Sequence, residues 1–190
     1  RHPWFPAWVR QHYAAVKLSL FAGITLGVTA LMVHANWVVN NPVATHYSIH
    51  IPKKVAGRDS LTIVMMSDMH IGEMISNRLV RKYVALSNAQ KPDLVVWVGD
   101  WLDYESLYAE RAHVEEDLRA LKAPLGVYAV NGNHEYRANR FAKYRWLQKT
   151  GATLLIDSVA QPDSTFYLIG RDDLVNKQRH GLQSLLRGVD

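Results

Sequence analysis

The chain has 190 residues, 48% of them apolar, which is enough for one domain with a real core plus a short appendage and too apolar for a disordered chain. Its 22 Lys and Arg stand against 17 Asp and Glu, and the cations are scattered without interleaved stacking aromatics, so nucleic acid is not an expected partner. The absence of cysteine excludes disulfides, thiolate zinc sites and a cysteine nucleophile, which leaves nitrogen and oxygen donors for any metal.

Residues 18–33, "LSLFAGITLGVTALMV", carry no charge, and residues 14–16 extend the run beyond Lys17 to roughly the twenty residues that a membrane-spanning helix needs. Ser19, Thr25 and Thr29 are its only polar side chains, and Gly23 and Gly27 have the spacing of small-residue helix contacts. Arg1, Arg10 and Lys17 precede or open the span, whereas residues 34–52 contain no Lys or Arg. The positive-inside tendency therefore puts the rest of the chain on the extracytoplasmic side of an inner or plasma membrane. A cleaved signal peptide, cut near Val33, His34 and Ala35, is the competing reading, although the run is long for one.

Residues 1–40 thus read as a membrane anchor with its flanks, and residues 41–60 as a polar connector holding Pro42, Pro52 and Gly57, with a short edge strand predicted in "HYSIHI". Residues 61–190 form an α/β domain. Its strands are predicted in "LTIVMM", "DLVVWV" and "GVYAV", and runs apolar throughout suit a sheet covered on both faces. Leu79, Tyr83 and Leu86 recur at helical spacing after a Ser76 cap, and Val114, Leu118 and Leu121 do so before Pro124 ends the helix. A third helix around residues 138–149 precedes "ATLLI" and "TFYLIG". The alternation is a βαβαβ sheet core with two or three layers and right-handed crossovers.

Ligands bind such sheets beyond the carboxyl ends of the strands, and three strand ends here carry polar clusters: "SDMHIG", "GDWLD" and "NGNHE". Each alone reads as a turn in which Asp accepts backbone hydrogen bonds and Gly supplies a positive φ. Together they bring Asp68, His70, Asp100, Asp103, Asn133 and His134 to one edge. That set suits Mn²⁺, Fe or Zn²⁺, because carboxylates gathered so closely repel one another unless cations neutralise them.

The ordered set D-x-H, GD-x-x-D and GNH[DE], each after a strand, resembles the calcineurin-like metallophosphoesterases over residues 61–173, and the preceding span resembles the membrane-anchored bacterial members. The resemblance implies a layered phosphoesterase fold and two divalent ions, Mn²⁺, Fe²⁺/Fe³⁺ or Zn²⁺. It implies that Asp68 and His70 bind one ion, that Asp100 bridges both and that Asn133 binds the second. It makes His134 the acid toward the leaving group, oriented by Asp103, while a hydroxide shared by ions roughly 3.5 to 4 Å apart attacks phosphorus in line. The expected substrate is a phosphodiester or pyrophosphate, lipid-linked if the tether matters.

Two departures bear on this. Tyr104 stands where the phosphoprotein phosphatases of the superfamily have a phosphate-gripping arginine, which argues against a phosphoprotein substrate. The family's late GH-x-H motif is missing, so the chain reads as lacking its C-terminal part, the alternative being an inactive membrane-tethered module that retains the fold. His180 falls in a predicted helix and is a poor substitute. His113 is read as solvated beside Glu115 and Glu116, Asp172 and Asp173 as a strand-end turn, and Trp101 and Tyr104 as flanks of the cleft, while Glu135 has no assigned role.

Overall fold

A computed structural model of the chain describes residues 4–55, 57–187 and 189; Arg1, one of the cations used to orient the predicted span, lies outside them. The chain divides into two compact units, with the boundary between Pro42 and Val43.

The first unit consists of α1 (Ala7–Gln11) and α2 (Tyr13–Asn40). At 1.5 Å per residue, α2 is about 42 Å long, more than the thickness of a bilayer's hydrocarbon core. It is long and apolar enough to cross a membrane, and none of its residues is buried by protein. Leu18, Phe21, Ile24, Leu26 and Leu31 all face outward, as expected of a helix whose apolar side chains cover its whole circumference. The helix runs unbroken through Val33, His34 and Ala35.

In the second unit, residues 43–54 form no strand, and Tyr47 and Ile49 are exposed. The edge strand predicted in "HYSIHI" is therefore not formed: alternation alone does not make a strand without a neighbour's backbone to pair with. The sheet comprises β1 (Ile63–Met66), β2 (Leu94–Val98), β3 (Val127–Val130) and β4 (Thr153–Leu154), parallel and in sequence order. The crossovers are α3 (Asn77–Ala89), the pair α4 (Leu107–Arg111) and α5 (Val114–Leu118), and α6 (Arg140–Thr150). A hairpin of β5 (Ser158–Asp163) and β6 (Phe166–Gly170) follows, then the short α7 (Leu182–Leu185).

Crossovers of one hand between strands in sequence order put every helix on the same face of the sheet. The core lies there, with Val80, Val84, Val114, Leu118, Trp146 and Leu147 packed on Val95, Trp97 and Ala129. On the other face Ile63, Met65 and Val98 are 48%, 69% and 44% exposed. On the same face Leu94 is fully buried and Val96 lines a cavity with Leu168 and Ile169 of the hairpin, so among the described residues the expectation of a sheet covered on both faces is met in part. A continuous apolar run reports that both faces are apolar and not that both are covered.

Two helices also depart from expectation. The buried residues of α3 are Leu79, Val80, Val84 and Ser87, with Tyr83 and Leu86 at the flanks. The helix expected to run to Pro124 ends at Leu118, and His113, in the left-handed region at φ 52°, separates α4 from α5.

Candidate active site

The loops after β1 and β2 stay paired beyond the strands. Asp68 N–H donates to Gly99 O at 3.3 Å, His70 N–H to Asp100 O at 3.0 Å, Ile71 N–H to Trp101 O at 3.1 Å, and Asp103 N–H back to Ile71 O at 3.1 Å. This ladder fixes the polar residues of both loops against each other. It does so at a conformational cost, since Asp68, His70 and Asp100 have φ of 53°, 43° and 50°. A residue with a Cβ is disfavoured there by roughly 1–2 kcal/mol. Such strain gathered at three neighbouring polar residues marks a site held in place by its surroundings.

The side chains converge. His70 Nε2 lies 3.9 Å from Asp68 Oδ1 and 3.7 Å from Asp100 Oδ2, and its Nδ1 lies 3.6 Å from Asp103 Oδ1. The ring of His134 meets that of His70 edge to face at 4.4 Å. His134 Nδ1 is 2.7 Å from the Asp103 carbonyl oxygen and 3.2 Å from its Oδ1. A carbonyl can only accept, so His134 Nδ1 carries the proton and Nε2 is the nitrogen free to exchange one. Asp103 thus grips His134 through its backbone as well as its carboxylate. His134 N–H donates to Asp100 Oδ1 at 2.9 Å, which ties the loop after β3 to the loop after β2. Asn133 is exposed and caps the 3-10 turn His134–Tyr136, its carbonyl accepting from Tyr136 N–H at 3.3 Å, so it adjoins His134 in the loop after β3.

Glu135, the residue left without a role, explains how the two loops are locked. Its side chain is fully buried and accepts four backbone N–H bonds: Asp100 at 2.8 Å, Trp101 at 3.1 Å, Leu102 at 3.3 Å and Gly132 at 2.7 Å. Burial pushes this carboxyl above the usual range, opposed by the N–H donors of Gly132, Leu102 and Asp100 and reinforced by the neighbouring Asp100 charge. The sequence carried no local signal for this, since three of the four donors lie 33 to 35 positions away.

The glycines of these loops touch. A Cβ on Gly99 would lie 2.8 Å from Gly132 Cα, and one on Gly132 would lie 2.2 Å from Asp100 Oδ1. Gly132 is thus required for close approach rather than for the sharp turn expected from its strand-end position.

Further from the cluster, Asp172 is no simple turn residue. It is 2% exposed, accepts from Asn131 Nδ2 and Asn176 Nδ2, each at 2.9 Å, and accepts from the Tyr136 hydroxyl. Burial raises its carboxyl, but the donors from Tyr136, Asn176 and Asn131 outweigh it and hold the pKa below the ordinary value. Trp101 is fully buried, stacks on Trp146 and donates to Val130 O, so it packs rather than touching a substrate, whereas Tyr104 is 59% exposed. His113 is exposed, with Glu115 and Glu116 at 3.9 and 3.8 Å. His180 precedes α7 rather than lying in a helix, and its backbone N–H donates to Asp157.

The donor set fits a divalent cation. Ligand atoms from Asp68, His70 and Asp100 lie within 4.8 Å of one another, as do those from His70, Asp103 and His134. Imidazole and carboxylate donors in that number suit Mn²⁺, Fe or Zn²⁺.

Comparison with known proteins agrees with this chemistry. The family model described as calcineurin-like phosphoesterase matches residues 61–182. A Caenorhabditis elegans protein named as a metallophosphoesterase is 34% identical over 116 residues, 60% of this chain and 24% of that protein. A Bos taurus transmembrane protein with a metallophosphoesterase domain is 30% identical over 122 residues, covering 63% of this chain and 27% of its own length. The UDP-2,3-diacylglucosamine pyrophosphatase LpxG of Chlamydia muridarum is 28% identical over 127 residues, 63% of this chain and 38% of the enzyme. The chain therefore spans well under half the length of these relatives.

Proposed function

The chain belongs to the calcineurin-like phosphoesterase family, and from that premise we propose that its site hydrolyses a phosphodiester or pyrophosphate bond with the help of two divalent cations. In this reading Asp68 and His70 would hold one ion, Asp100 would be shared by both, and Asn133 would complete the second. Bound there, the ions draw charge from the phosphoryl oxygens and lower the pKa of water. His134 presents Nε2 to the leaving group as general acid, its Nδ1–H fixed on Asp103. The observation that carries the proposal is the convergence of Asp68, His70 and Asp100 on ligand atoms within 4.8 Å, all three in left-handed backbone.

The substrate reading rests on the site and the first unit together. One relative is named for a pyrophosphatase acting on a diacylated sugar nucleotide, and α2 is long and apolar enough to anchor the enzyme at a membrane. A lipid-linked substrate at a membrane surface fits both. Arg10 and Lys17 before the apolar run, with no Lys or Arg in residues 34–52, support an extracytoplasmic site.

Release of p-nitrophenol from bis(p-nitrophenyl) phosphate with Mn²⁺ tests the proposal. His134→Ala is expected to lose about 100- to 10,000-fold in kcat, and Asp100→Asn to lose Mn²⁺ binding together with turnover. Equal rates in wild type and both variants would sink it.

A further inference from the structure

The side chains of α6 that face the core are Lys143, Trp146, Leu147 and Thr150, all buried. A lysine in that stripe is out of place, since the positions three and four residues on are apolar and its side chain is fully buried. Taking an ammonium out of water costs several kcal/mol unless nearby groups compensate it.

The compensation lies in the catalytic edge. Lys143 Nζ donates to the His134 carbonyl oxygen at 2.6 Å. Burial pulls the ammonium below its ordinary pKa, the charges of Glu135, Asp103 and Asp100 act against that, and Arg137 adds to it. The peptide that carries His134 is thus held from several sides. Its N–H is bound by Asp100, its C=O by Lys143, and the next residue, Glu135, is clamped by four amides. Asn139 caps α6 by accepting Ala142 N–H, which steadies the turn that delivers Lys143.

We propose that Lys143 is a positioning residue with two effects: its ammonium anchors the His134 peptide, whose N–H holds Asp100, and its charge offsets part of the negative charge of the site's carboxylates. The role of His134 in turnover rests on the proposed function, whereas the charge effect does not. Cations entering the site must work against this built-in positive charge, so its removal tightens their binding while leaving His134 loose. A residue that only filled space would produce no such split.

The test uses the full chain in detergent, comparing wild type with Lys143→Met and Lys143→Gln, both of which remove the charge without leaving a cavity. Calorimetry with Mn²⁺ alone should show binding tighter by about tenfold in either folded variant. With bis(p-nitrophenyl) phosphate, kcat for Lys143→Met should fall by about 10- to 100-fold with KM little changed. A variant with wild-type circular dichroism whose Mn²⁺ affinity and kcat are both unchanged would overturn the inference, and weaker Mn²⁺ binding would overturn the charge effect. If wild type binds Mn²⁺ but releases no p-nitrophenol, the proposed function fails, and the affinity comparison alone then decides on Lys143.

Discussion

Gly132 lacks a side chain because Asp100 occupies the space one would need. A methyl there meets Asp100 Oδ1 at 2.2 Å and Asp100 N at 2.6 Å, both held in place by Glu135 and by the His134 amide. The contact is with backbone and a fixed carboxylate, so it cannot be relieved by swinging a flexible side chain away. Gly132→Ala is therefore expected to displace Asp100 and weaken Mn²⁺ binding by about 10- to 100-fold. Calorimetry on a folded variant checks this, and an affinity equal to wild type would remove the packing argument. Asp68, His70 and Asp100 were identifiable from their motifs, but Glu135 was not. Its four donors come from residues three and 33 to 35 positions away, and nothing in the local pattern says which amides a buried carboxylate will meet.

The strands and their alternation with helices were legible because continuous apolar runs and helical spacing are local properties. Where elements end, and what joins them, was less so. Asp172, just after β6, reaches Asn131 at the end of β3 and Tyr136 beyond it, linking the β5–β6 hairpin to the loop that carries His134. Burial, and then donation to Asp172, push the Tyr136 phenol up to about 12 from 10.0. For a phenol whose pKa is raised on folding, the contribution to stability is fully present below pH about 10 and is lost as the pH climbs toward about 12. Thermal unfolding followed across that window should show the midpoint of wild type falling more steeply than that of Tyr136→Phe. Tyr83 and Tyr144, also raised by burial, contribute to both proteins alike. Parallel slopes would show that the Tyr136–Asp172 bond does not couple the hairpin to folding.

At the scale of the whole molecule, a helix with no buried residue and apolar side chains all round must find an apolar surrounding. The chain is expected to remain in the membrane pellet after alkaline carbonate extraction. Ile24→Lys combined with Val28→Lys, each lysine costing roughly 2.5 kcal/mol or more at a helix centre, should release it. Release of the wild-type chain under the same treatment would count against an anchor. In the second unit, Ile63, Met65 and Val98 are exposed on the face of the sheet that the helices leave open. By itself the sequence determined the apolar helix, the alternation of strands with helices and the three clusters at the strands' carboxyl ends, because each is written in spacing within a few residues. Only the tertiary structure decided that Gly132 yields its space to Asp100, that Glu135 and Lys143 brace His134, and that Ile63, Met65 and Val98 stay exposed on one face of the sheet. Those outcomes depend on which backbone groups and charges of separate elements meet, across more than 30 residues for Glu135 and Asp100 and across nine for Lys143 and His134, and burial is settled by packing between elements rather than by the pattern within any one of them.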